Sequence, residues 1–250
     1  MNFANRTAVI TGACGGIGRA LCSQFAAAGV RVAATDVNSQ VLEKAQSEWR
    51  KGGLDIRGYV LDVTSRESVE SVVGAIERDF GKIDILINNA GAWEHLDSQG
   101  QHFLETMPEE QWIRIIEINL YGTIRCMQAV LAGMVARRYG RIVNISSIAG
   151  LVGLPGYADY SAAKAAITML TKTVSMENAK RGITANSVSP GMIASGPVAP
   201  NDGTWLGRDG APDEVARAVL FLAADESSYI TGVDFAVDGG RVLGPHGATM

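Results

Sequence analysis

Cysteine, proline, histidine and aromatic residues are all scarce in this chain of 250 residues. The three cysteines, Cys14, Cys22 and Cys126, are odd in number and widely spaced. They make no disulfide framework, and no CxxC pair offers a zinc site. The three histidines, His95, His102 and His246, also lack metal-ligand spacing, so no metal is expected. Reduced thiols of this kind suit a cytoplasmic protein. Only 7 prolines accompany 29 glycines, with no Gly-X-Y period, which excludes a fibrous chain. Basic residues number 22 against 26 acidic ones and form no block, so the footprint of a nucleic-acid binder is missing. Met1 to Arg6 lack the charged-then-apolar order of a secretion signal. The longest apolar runs, such as Ala218 to Ala224, fall far short of the roughly 20 residues that span a bilayer, so no membrane partner is expected.

What is abundant is core material. Apolar residues make up 47% and charged residues 19%, which excludes disorder over most of the chain. Short β-branched runs alternate with longer amphipathic ones. Thr7 to Ile10, Val30 to Thr35, Ile56 to Leu61, Ile83 to Ile87, Arg141 to Ile145, Ile183 to Val188 and Val233 to Val237 read as strands. Ile17 to Ala28, Ser39 to Lys51, Ser65 to Phe80, Pro108 to Arg138, Ala158 to Arg181 and Pro212 to Ala224 read as helices, several stopped by glycine. Strands that are apolar throughout are buried on both faces, as in parallel sheets joined by right-handed crossovers. With no linker or repeat, residues 1–250 read as one doubly wound α/β domain. The expectation is a parallel sheet of about seven strands with helices on both faces, in three layers.

Thr11-Gly12-Ala13-Cys14-Gly15-Gly16-Ile17-Gly18 joins the first strand to the first helix. Glycines there let backbone N–H groups approach a pyrophosphate, and the helix N-terminus adds partial positive charge. A glycine cluster is otherwise only a tight turn; its place at the first strand-to-helix junction points to a dinucleotide. Asp36 ends the second strand about 20 residues past the glycines, where a carboxylate suits the adenosine ribose 2′-hydroxyl and repels a 2′-phosphate. Thr35 and Val37 flank it and Gly15 occupies the loop, so no neighbouring cation offsets that repulsion. NAD(H) is therefore the expected cofactor and NADP(H) is disfavoured. The alternative is an ordinary solvated Asp at a strand end.

Tyr160 and Lys164 stand four residues apart and share one helix face. Moving a phenol from a pKa near 10 to about 7 takes roughly 4 kcal/mol. One unit charge at about 4 Å is worth roughly that much at an effective dielectric near 20. Alone, such a pair is more often a surface feature. Here it accompanies Asn88-Asn89-Ala90-Gly91, Asn144-Ile145-Ser146-Ser147 and Ser189-Pro190-Gly191, which follow the fourth, fifth and sixth strands. These turns share the carboxyl edge, where α/β sheets bind ligands.

Together these motifs resemble the short, single-domain branch of the short-chain dehydrogenase/reductase family. TGxxxGxG, NNAG, Asn119 in the middle helix, Ser147 placed 13 residues before Tyr160, YxxxK and the Pro-Gly turn occur in order between Arg6 and Gly240. The resemblance implies a Rossmann-type fold and an NAD(H)-dependent oxidoreductase that interconverts a secondary alcohol and a ketone. It implies Tyr160 as general acid/base and Lys164 as the group that lowers the Tyr160 pKa and binds the nicotinamide ribose. Ser147 would hydrogen-bond the substrate oxygen, and Asn119 would hold a water in a relay to Lys164 or, compatibly, bridge backbone groups at a helix kink. Gly12, Gly16, Ile17 and Gly18 would cradle the pyrophosphate. Asp62 and Val63 would hold the adenine, and Asn89, Ala90 and Gly91 would line the adenosine side. Ile193 and Ser195 would position the carboxamide beside Pro190 and Gly191, although the family often has Thr at the position of Ser195.

Two departures bear on substrate. About 20 residues separate Gly191 from the helix at Pro212, where the family commonly carries a longer helical lid, and Ala92 to Thr106 is longer than the usual connection. Trp93, His95, Leu154, Tyr157, Met192 and Trp205 are candidate lining residues, and each is as readily a packing or surface residue. They point to a moderately hydrophobic substrate, cyclic or aromatic. The tail from Arg241 to Met250 extends past the usual end and is expected to pack on a neighbouring subunit, in a tetramer or dimer. A second enzyme reading is reduction of a 3-oxoacyl thioester on a carrier protein, with Arg137, Arg138 and Arg141 as candidate docking cations or plain solvated charge. A dinucleotide-binding regulator without turnover is the third; intact Asn119, Ser147, Tyr160 and Lys164 stand against it.

Overall fold

A computed structural model describes residues 1, 3–94 and 102–244. Seven strands form one sheet: β1 Thr7–Thr11, β2 Arg31–Asp36, β3 Ile56–Val60, β4 Ile85–Asn88, β5 Gly140–Ile145, β6 Ile183–Pro190 and β7 Asp234–Val237. Their order is β3-β2-β1-β4-β5-β6-β7, and every pairing is parallel. This is the doubly wound, Rossmann-like α/β sheet expected from the alternating runs. Thr11 pairs with Thr35, Asn88 with Asn144 and Pro190 with Val237, so the motif-bearing turns emerge on one edge. The strand order reverses between β1 and β4, which opens a crevice there.

The central strands β1, β4, β5 and β6 are buried on both faces, and the outer strands β3 and β7 are partly exposed. Ala8, Ile10, Ile85, Ile87, Val143 and Ile145 face a core shared with helices α1 (Gly16–Ala27), α2 (Ser39–Lys51) and α8 (Pro212–Ala223). Their neighbours Val9, Leu86 and Ile142 face a second core, with α3 (Arg66–Phe80), α5 (Gly122–Arg137) and α7 (Ala158–Asn178). Side chains alternate across a strand, so an unbroken apolar run feeds both cores at once. Asn38 caps α2 by accepting from Val41 N, and Ser65 caps α3 by accepting from Ser68 N.

The expected helix from Pro108 to Arg138 is not continuous. It runs as α4 (Glu109–Ile116), a π-helical turn (Glu117–Tyr121) and α5. Asn119 Nδ2 donates to the Ile115 carbonyl, four residues back, at 3.0 Å. A side-chain donor on that carbonyl competes with the helical ladder and widens the turn. A four-residue helix, α6 (Ala149–Val152), is too short to show a period and was not anticipated. After β6 the chain forms a bridged loop. Ile193 pairs with Gly210 and Pro200 with Arg208, and Arg208 forks onto Glu214 of α8 with two bonds of 2.8 Å. Among the described residues, no helix is long and apolar enough to cross a membrane.

Candidate active site

Two adjoining cavities open along the carboxyl edge. The first, of about 640 Å³, is lined by Gly12, Gly15, Gly16, Ile17, Gly18, Asp36, Asp62, Val63, Asn89, Ala90, Gly91, Ile193 and Ser195, among others. Its floor is backbone. Gly12 adopts φ +62°, and a Cβ there would stand 2.8 Å from Ala90 Cα; a Cβ on Gly18 would stand 2.1 Å from the Gly12 carbonyl oxygen. Asn89 Nδ2 donates to the carbonyls of Thr11 and Gly12 at 3.0 and 2.9 Å and so fastens the turn after β4 to the glycine turn. The N-terminus of α1 has no side-chain cap and no acidic residue in its first turn. Its orphan N–H groups and dipole are therefore free for an external anion, and the glycine cradle fits a pyrophosphate.

Asp36 stands in this cavity, and its carboxylate accepts from Cys14 N at 2.9 Å and from Asn38 N at 3.1 Å. These bonds hold the carboxylate at the rim and leave it lone pairs for a ribose hydroxyl. Asp62 Oδ1 is engaged by Thr64 N and Oγ1 at 2.8 and 2.6 Å, so its carboxylate is fixed beside Val63.

The second cavity, of about 740 Å³, gathers Asn119, Ser147, Tyr160 and Lys164 with Trp93, Leu154, Tyr157, Pro190, Gly191, Met192 and Ile193. It shares Ile17, Asn89, Gly91, Ala92, Trp93 and Ile193 with the first. All four expected catalytic residues therefore face one space, next to the dinucleotide cradle. The buried Lys164 Nζ lies 5.4 Å from the Tyr160 ring centre and donates to the Ile145 carbonyl at 2.9 Å. Asn119 Nδ2 bridges the Ala92 and Ile115 carbonyls, as a kink residue should, while its Oδ1 is buried without a hydrogen-bond partner. A Cβ on Gly91 would stand 2.7 Å from that oxygen and 3.4 Å from Lys164 Nζ, so only glycine leaves room between them.

Electrostatics differ from expectation in one respect. Burial pushes the Tyr160 phenol above its usual value; a hydrogen bond from Ser147 works the other way, and the Glu94 charge adds to the rise. Burial lowers Lys164 to about 8, because an ammonium removed from water loses its hydration.

Trp205 is half-exposed and packs near Gly240; it does not line the catalytic cavity. His95 lies outside the described residues, as does the tail from 245 onward. Pro155 and Arg241 also line the cavity and were not anticipated. Arg241 directly follows Asp238-Gly239-Gly240 at the carboxyl end of β7, the same edge as the other turns, and that position was the available signal.

A family model described as enoyl-(acyl carrier protein) reductase matches residues 12–241. The 3-oxoacyl-(acyl-carrier-protein) reductase of Thermotoga maritima is 39% identical over 254 residues, which cover 97% of this chain and all of the relative. The chain is a short-chain dehydrogenase/reductase. The Escherichia coli protein of the same name is 40% identical to this dehydrogenase/reductase, again over 97% of this chain and 100% of the relative. The structure titled NAD⁺-bound xylitol dehydrogenase superposes with a TM-score of 0.88 at 34% identity, covering 96% of this chain and 100% of that one.

Proposed function

We propose that this oxidoreductase interconverts a ketone and a secondary alcohol with NAD(H), in one domain that carries both sites. The carrying observation is the shared wall between the glycine-floored cavity and the one holding Ser147, Tyr160 and Lys164. When bound, the dinucleotide supplies or accepts the hydride. Tyr160 exchanges a proton with the substrate oxygen, and Ser147 hydrogen-bonds that oxygen as charge develops on it. Lys164 and the unpartnered Asn119 Oδ1 both lie beside Gly91 in the cavity that holds Tyr160, a placement suited to a proton relay. Tyr160 gives that proton when a ketone is reduced and takes it back when an alcohol is oxidised.

Within this reaction, the relatives named 3-oxoacyl-(acyl-carrier-protein) reductase support a 3-oxoacyl thioester as the ketone. A small free alcohol is the second reading. The NAD⁺-bound xylitol dehydrogenase likeness and the Asp36 carboxylate in the cofactor cleft favour it, and the same two observations support NAD(H) over NADP(H). We further propose a homo-oligomer, dimer or tetramer, in a cytoplasmic setting. The edge at β7 exposes Tyr229 and Phe235, an apolar surface suited to another subunit.

The test is NADH consumption with 3-oxoacyl N-acetylcysteamine thioesters against NADH formation with a panel of secondary alcohols. NADPH, NADP⁺ and Tyr160→Phe run alongside. Tyr160-dependent turnover is expected with NAD(H). Turnover of neither set, with NADH binding intact, would sink the proposal.

A further inference from the structure

We infer that Arg241 is a specificity residue that receives an anionic group of the substrate, a carboxylate or a phosphate, in the cavity that holds Tyr160. The inference rests on the alcohol–ketone reading and narrows its substrate class. Two cationic side chains line that cavity, Lys164 and Arg241, and no carboxylate residue lines it among the described residues. Lys164 is already committed to the Ile145 carbonyl and to the neighbourhood of Tyr160. Arg241 has no ion pair among the described residues. Its neighbour Asp238 does not supply one, because that carboxylate accepts from the backbone N–H groups of Gly240 and Val242 at 2.9 and 2.8 Å.

The guanidinium is nevertheless held in place. Its Nη1 donates to the Gly203 carbonyl at 3.2 Å, and a Cβ on Gly203 would stand 2.4 Å from the same nitrogen. The bridged loop thus seats the head group with a single carbonyl and leaves most of its five N–H donors unengaged. A planar guanidinium matches carboxylate and phosphate oxygens with paired hydrogen bonds. A half-buried guanidinium that lines the cavity and has no ion pair favours an anionic ligand over a neutral one of the same shape. The moderately hydrophobic substrate expected from Trp93, Leu154 and Met192 therefore gains a charged end.

The test is calorimetric titration of the NADH-loaded protein with three matched probes: short-chain secondary hydroxy acids, their methyl esters, and phosphate monoesters of the corresponding diols. One of the two anions is expected to bind about 10- to 100-fold tighter than the ester, the usual range for a charged hydrogen bond. The tighter anion identifies the source of the charge. Arg241→Gln keeps a donor for the Gly203 carbonyl but removes the charge, so it should abolish the anion-to-ester ratio, and Arg241→Lys should restore part of it. A merely structural Arg241 would leave that ratio unmoved. Anions that bind no tighter than the esters, or a ratio that survives Arg241→Gln, overturn the inference. Turnover of the same probes with NAD⁺, dependent on Tyr160, tests the parent reading separately.

Discussion

The two adjoining cavities are built by opposite means. The cofactor side is defined by backbone: atoms that a Cβ on Gly12 or Gly18 would strike belong to Ala90, Gly12 and Ala13 main chain. The substrate side is defined by side chains, with Trp93 packed on Tyr157 at 6.1 Å between ring centres and Arg241 seated against Gly203. Main chain tied into a parallel sheet cannot move aside, whereas a side-chain wall re-forms by rotamer changes. The first is suited to an invariant ligand and the second to a substrate that differs among related enzymes.

The largest effect should come from the chemistry at the seam. Tyr160→Phe is expected to lower kcat by about 100- to 10,000-fold while NADH binding, followed by fluorescence, is preserved. Loss of NADH binding instead would mean that the two cavities are not separable. Gly18→Ala should strike the Gly12 carbonyl and cost about 1–3 kcal/mol of stability, with NADH affinity lost, as read by thermal melts and titration. Gly203→Ala makes a similarly close approach, but to the end of the flexible Arg241 side chain, so NADH affinity should hold. Equal damage from both variants would break the contrast. Asp36→Ala should reduce the preference for NAD⁺ over NADP⁺ by about 10- to 100-fold in kcat/KM, the value of a hydrogen bond to a charged group.

Lys164 sharpens the comparison by showing what the seam costs the fold. Its folded pKa, about 8, lies below the ordinary 10.5, so between those values the unfolded chain binds more protons. Stability should therefore rise with pH across that window, and the full penalty applies below it. Lys164→Met is expected to stabilise the protein by about 1–3 kcal/mol at pH 7 while removing turnover, and to flatten urea stability between pH 8 and 10.5. The smallest effect belongs to the movable wall: Trp93→Ala should change KM by only a few-fold and leave NADH affinity alone, since the residue is 54% exposed.

Most of the framework was legible before the structure. Periodicity located all seven strands, most plainly the central ones, whose burial on both faces leaves few polar interruptions, and it gives Ser39–Lys51 to the residue. Glycine spacing marked the cradle because only glycine tolerates those approaches. The break at Glu117–Tyr121 left no mark in the periodicity and was reached only through the family resemblance, as a kink at Asn119, since a π turn follows from where one amide finds its carbonyl.

Local order, strand burial and the residues with chemical capability are properties of neighbouring positions, and the sequence by itself determined them. Tertiary structure decided which of those residues share a cavity. It brought Arg241 of the last turn into the wall that holds Tyr160, left Trp205 outside, and set the Tyr160 phenol above rather than below its usual pKa. The physical reason is the same for each. Burial, counter-charge and the seat of a long side chain depend on atoms far away in the chain, and no spacing of residues records them.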